Sequence, residues 1–185
     1  MALTDVKICS DALLLIGEGA IDSFDDEGDP AVVSAALYTG ILENLLTKHR
    51  WRFATGKIQL SRLVAAPEND WTYAFQLPSD YLTMDRVHPR SLYEIFEDKL
   101  YSDQTELEID YRFKPDESRF PPYFVMTLQY FLAAQFSLTV AEDRVLMKEY
   151  MALAKDELIT AKSTDSQAYP NTYIRSSPFT SVRNI

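Results

Sequence analysis

Cysteine is nearly missing from this chain. Cys9 stands alone among 185 residues, so no disulfide can form within one subunit, and the usage suits a reducing compartment. Histidine is almost as scarce. His49 and His88 are the only two, and neither has a second histidine at helical spacing or a cysteine near it in sequence, so no metal site is expected. The five glycines offer one close pair, Gly17-Glu18-Gly19. Asp22 stands where a dinucleotide fingerprint needs its third glycine, and the pair ends a helix instead of following a strand, so no nucleotide or other cofactor is expected. Residues Met1 to Asp11 lack a basic region followed by an apolar one, which argues against a secretory signal. The longest charge-free run, Phe120 to Ala141, covers 22 residues. Pro121 and Pro122 open it, and Thr127, Gln129, Gln135, Ser137 and Thr139 interrupt it, so it reads as a buried helix and no membrane association is expected.

What is present is a core-forming composition with a strong acidic excess. Hydrophobic residues make up 46% of the chain and aromatics 12%, enough for one good core with room for a smaller satellite. The formal net charge of −10 disfavours a protein that grips nucleic acid over its whole surface, because phosphate contacts rely on Lys and Arg displacing counterions. It remains compatible with DNA sliding past without sticking.

Two periodicities divide the chain. Val6, Cys9, Leu13 and Ile16 step by three and four, predicting a helix over about Thr4–Ile16 that stops at Gly17 and Gly19. Asp29 as N-cap and Pro30 at the first helical position open a second helix, about Pro30–His49, striped by Val33, Leu37, Ile41 and Leu45. From Trp51 to Phe113 the runs are short, rich in Tyr, Phe, Val and Ile, and broken by prolines, as strands and turns are. Leu107, Ile109, Tyr111 and Phe113 alternate with Glu108, Asp110 and Arg112, a half-buried strand. Tyr93, Ile95 and Phe96 fit a partner strand, with Glu97, Asp98 and Lys99 as a polar turn. Helix resumes after Pro122, with Phe124, Leu128, Phe131, Leu132 and Gln135 facing inward. A last helix, about Glu142–Ser163, is expected to bury Leu146, Tyr150, Leu153, Leu158 and Ala161. The predicted fold is therefore α+β, mainly α: a four-helix bundle from residues 1–53 and 118–165, a β-rich insertion at 54–117 between helices 2 and 3, and an extended C-terminal arm at 166–185.

No constellation nominates an enzyme, and no catalytic residue is expected. Cys9 lies on the apolar stripe of the first helix, as a small core residue does. The acidic loop Asp22–Asp29 invites a calcium reading, but with Gly28 at the sixth position the first and twelfth would be Ser23 and Ser34, which supply no carboxylate. Carboxylate pairs such as Asp25 and Asp26 are too common in a chain this acidic to mark an acid and a base.

Charge placement says more. Five cations, Lys48, Arg50, Arg52, Lys57 and Arg62, fall between Asn44 and Pro67 with no acid among them. With Trp51 and Phe53 between its cations, this belt could touch DNA. The plainer reading has the two aromatics closing the bottom of the bundle while Arg50 and Arg52 meet acids of a neighbouring subunit, such as Asp25 and Asp26. The final twenty residues, Ser166–Ile185, hold no acid. Tyr169, Tyr173, Ile174, Arg175, Phe179 and Arg183 are spaced there by turn formers, a composition suited to lying on another protein's surface.

Several of these segments resemble the tail tubular protein A, or head-to-tail adaptor, of short-tailed bacteriophages and related prophages. The matching pieces are LLLIGEG (Leu13–Gly19) followed by Ile21 and Ser23, the pair Asp29-Pro30, HRWRFA (His49–Ala54) and WTYAFQLPSDYL (Trp71–Leu82). PPYF (Pro121–Phe124), LAAQF (Leu132–Phe136) and Asp165-Ser166-Gln167 follow in the same order. The resemblance implies a virion protein of the tail or neck, assembled in the host cytoplasm and catalysing nothing. It forms a ring, typically dodecameric, beneath the portal protein, with DNA passing through the lumen and a nozzle-type tail protein docking below. It further implies that Tyr169, Tyr173, Ile174, Arg175, Phe179 and Arg183 hold the portal. Two other readings stay open: a host-encoded helical protein-interaction module, and a cell-wall hydrolase that would need two acids converging in a cleft.

Overall fold

The computed structural model describes residues 3–65 and 67–167. The six arm residues assigned to the portal, Tyr169, Tyr173, Ile174, Arg175, Phe179 and Arg183, lie outside the described residues. Within them the fold is mixed α+β and mainly α, with four helices and two antiparallel sheets.

Helix α1 (Asp5–Leu15) starts at Thr4, whose hydroxyl accepts the Lys7 N–H at 3.2 Å. It ends in a Schellman turn. Gly17 adopts φ 85°, its N–H bonds Leu14 O at 3.2 Å, and the Glu18 N–H reaches Leu13 O at 3.1 Å, a geometry that a side chain at Gly17 would strain. Helix α2 (Asp29–Thr47) is capped by Gly28, one residue earlier than expected, so Asp29 falls in the first turn, where its charge faces the positive helix end. Helix α3 (Pro122–Thr139) opens at Pro122 as predicted. Helix α4 (Arg144–Gln167) is longer than its pattern suggested. Asp143 caps its start by accepting the N–H groups of Val145 (2.7 Å) and Leu146 (3.0 Å), and its end takes in Ser166 and Gln167, the first two residues of the expected arm.

Helix α3 is the centre of the bundle, and α1, α2 and α4 all pack on it. Ile8, Leu13, Leu42, Leu46, Phe124, Leu128, Leu132 and Phe136 are fully buried in one shared cluster, each contributing about 1.5–3 kcal/mol of transfer free energy. Polar groups of the charge-free run find partners both within α3 and on α1. Thr127 and Ser137 donate to the carbonyls of Tyr123 and Ala133, and the Gln129 amide donates to Asp11 Oδ2 at 3.1 Å. Among the described residues no helix is long and apolar enough to cross a membrane. On α4 the buried positions are Ala154, Ala161 and Asp165. Leu153, expected inside, is 48% exposed, because Ala154 takes the inward-facing place beside it.

The insertion forms two sheets. Strands β1 (Thr55–Gln59), β7 (Glu108–Phe113) and β4 (Tyr81–His88) make one, in the order β1-β7-β4. Strands β2 (Ser61–Arg62), β3 (Tyr73–Gln76), β6 (Lys99–Ser102) and β5 (Glu94–Phe96) make the other, in the order β2-β3-β6-β5. Glu94–Phe96 pairs with β6 across the expected turn, but Tyr93 lies outside the strand and Lys99 belongs to β6, leaving Glu97 and Asp98 as the turn. Leu107, Ile109 and Tyr111 turn inward with Phe75, Leu77, Val87 and Leu100 into a second apolar cluster. At Gly56, opposite Tyr111 in the register, an added Cβ would lie 3.1 Å from Tyr111 Cε1 and 3.3 Å from Phe113 Cδ1, so glycine lets the two aromatics close over the strand.

Candidate assembly interface

The segment His49–Ala54 sits where the bundle meets the insertion. Trp51 is fully buried. Its indole N–H donates to Leu45 O at 2.9 Å, and its ring meets Phe124 edge-on at 5.1 Å. Phe53 packs on Phe124 and Phe120 at 4.8 and 5.8 Å. These aromatics close the end of the bundle, the bland half of the sequence expectation, and Trp51 is not available to stack on DNA bases.

The polar residues of the segment are held by two groups of acids. Asp165, only 1% exposed near the end of α4, accepts the Tyr123 hydroxyl at 2.8 Å and the backbone N–H of Arg52 at 3.3 Å. His49 Nε2 lies 3.4 Å from the same carboxylate but is not aligned to hydrogen-bond it. Burial lowers the pKa of His49 below its ordinary 6.5 against the opposing pull of Asp165, with Lys162 and Arg112 also favouring the neutral ring. Burial and the bond to Asp165 push the Tyr123 phenol well above its usual range, fixing it as a donor.

The second group joins α2 to the sheet β1-β7-β4. Arg112 donates from Nε and Nη2 to Asp85 Oδ1 at 2.9 and 2.7 Å and from Nη1 to Thr47 O, at the end of α2, at 2.6 Å. Arg50 lies 3.2 Å from Asp85 Oδ2 and 3.4 Å from Asp110 Oδ2, and His88 Nε2 is 3.4 Å from that same oxygen. Arg50, expected to meet acids of a neighbour, has its guanidinium engaged by Asp85 and Asp110 of its own chain. The polar face of β7, a strand expected to be half-buried, is likewise a junction, with Asp110 9% exposed. Arg52 is exposed, and its N–H is tied to Asp165.

The remaining belt cations differ. Lys57 pairs with Glu108 at 2.9 Å, and Arg62 stacks over Tyr73 at 4.9 Å. Lys48 lies over the Phe131 ring at 4.8 Å beside a groove between α2, α3 and α4 that encloses about 400 Å³. In the acidic loop Asp26 accepts the N–H groups of Asp22 and Ser23 at 2.8 and 3.0 Å, and the Asp25 N–H donates to Ser23 Oγ at 3.1 Å. Asp25, Glu27 and Asp29 are exposed, and among the described residues no ion pair engages them.

Cys9 is fully buried, and burial together with Asp5 raises its pKa to about 12, so it stays a thiol and is unsuited to act as a nucleophile. From sequence, Asp165 enters only as part of a resembling motif, and its buried role, like Asp85 and the groove, becomes visible in the fold. Asp165 could have been found, since it follows Ala154 and Ala161 on the inward face of α4, where an acid must be paired. No protein-family model matches this sequence, and no curated protein matches it.

Proposed function

We propose that the chain is a structural subunit, a head-to-tail adaptor of a short-tailed bacteriophage type, which assembles into a ring under a portal protein and lets DNA pass through the lumen without catalysis. The reading is carried by one observation. The W-R-F element, with L-P-x-D-Y-L the most specific part of the resemblance, lies at the joint of this fold, where Trp51 is buried in the bundle core and the adjoining Arg50 pairs with Asp85 and Asp110 of the insertion. Its buried aromatics and the Arg50 guanidinium hold the subunit together, which suits a structural role. The acidic excess supports passage of DNA with little adhesion. The terminal segment with Tyr169, Tyr173, Ile174, Arg175, Phe179 and Arg183 would dock on the portal, and a nozzle-type tail protein below.

The test is truncation after Gln167, the last residue of α4. The shortened protein should keep its far-ultraviolet helical signal and its cooperative unfolding while losing co-sedimentation with the cognate portal. Undiminished portal binding would remove the arm from the mechanism, and failure of the full chain to bind any portal would remove the adaptor reading itself.

A further inference from the structure

The groove on the bundle offers a surface with a definite chemistry. Its floor is apolar, from Ile41, Leu45, Phe131 and Leu158, and its rim carries Lys48 and Lys155. Both lysines are exposed, and among the described residues neither has an acid within ion-pair distance. In a chain with ten more acids than bases, such a site selects an occupant that is acidic and partly apolar. The terminal arm has the wrong sign, because it carries Arg175 and Arg183 and no acidic side chain. The other end of α2 has the right one. There the loop sets out Asp25, Glu27 and Asp29, all exposed and unpaired among the described residues, beside Val32, which is 62% exposed. The loop is pre-organised by the Asp26 side chain bonding the N–H groups of Asp22 and Ser23, so little ordering cost opposes docking.

We infer that the acidic loop and first α2 turn of one copy dock on the Lys48–Lys155 groove of the next. Loop and groove belong to opposite ends of α2, whose 19 residues span about 28 Å at 1.5 Å per residue. One subunit therefore presents two different, complementary patches, the condition for a head-to-tail contact that propagates and closes a ring. Asp25 keeps the inter-subunit role expected of it, while its partner is Lys48 with Lys155 instead of Arg50, which Asp85 and Asp110 occupy. The contact deepens the ring-forming reading above and rests on it.

Self-association of the full chain, measured by sedimentation velocity at low and high salt with amine cross-linking as a second readout, tests the contact. The wild type should associate more strongly at low salt. Lys48→Glu/Lys155→Glu should weaken association about ten-fold or more, as should Asp25→Lys/Glu27→Lys. Mixing the two variants should restore association, because each then offers the other a complementary patch. Variants that keep a wild-type circular dichroism spectrum and still associate normally, or that fail to recover when mixed, overturn the contact while leaving portal binding, and hence the adaptor reading, untouched. A wild type that stays monomeric and uncross-linked at its highest soluble concentration overturns the contact, and portal co-sedimentation then decides the adaptor reading separately.

Discussion

Replacing Asp165 by alanine probes the junction at its most buried point. The carboxylate is 1% exposed and receives the Tyr123 hydroxyl and the Arg52 N–H. Removing it leaves two part-buried donors without their acceptor, at about 1–3 kcal/mol each. Relief of the carboxylate's own desolvation offsets part of that, so the net loss should be about 2–4 kcal/mol. For a domain of this length the midpoint of thermal unfolding should fall by roughly 5–15 °C. Asp165→Asn retains an acceptor for Tyr123 and should lose about half as much. Circular dichroism melts of the three proteins, paired with urea titrations to check that the denaturant slope is unchanged, measure the effect. A loss in D165A below about 0.5 kcal/mol, the range of an ordinary surface change, would refute the view that this carboxylate secures the segment.

Two further outcomes follow from the same geometry. His49 has a folded-state pKa below the unfolded 6.5, so the unfolded chain takes up the proton first. Stability should therefore decline as pH drops below about 6.5 and level off beneath the folded value, and His49→Gln should flatten that segment of a stability-versus-pH curve measured in urea. An unaltered curve would exclude His49 as its source. Gly56→Val should cost about 1–3 kcal/mol in a urea titration by forcing Tyr111 and Phe113 aside, whereas a neutral result would mean that the two rings yield freely.

The sequence made the helices legible because each writes its own apolar stripe, and Pro122 marks the start of α3 within a single residue. It also separated bundle from insertion, since helical and alternating patterns do not overlap around Trp51. Pattern alone could not tell what covers the polar face of β7. Alternation reports that Asp110 and Arg112 share a side, and the same alternation arises whether that side meets water or Arg50, which is 60 residues away. Leu153 misled for a related reason, as size suggested burial while the helix turned Ala154 inward. The belt was visible as charge, but its division into cations engaged by acids (Arg50, Lys57) and Lys48, which has no acid partner among the described residues, depends on acids contributed by distant strands. Nothing in composition could distinguish Asp165 from its many acidic companions except its phase on α4.

The central place of α3 also fixes an order of events on the ribosome. Both sheets are complete once residue 113 has emerged, since all their strands lie between Thr55 and Phe113. The helical core has to wait. Its closing contacts reach across most of the chain, as the Gln129–Asp11 bond does over 118 positions, so α1 and α2 leave the exit tunnel with apolar flanks that stay uncovered until Pro122–Thr139 is synthesised.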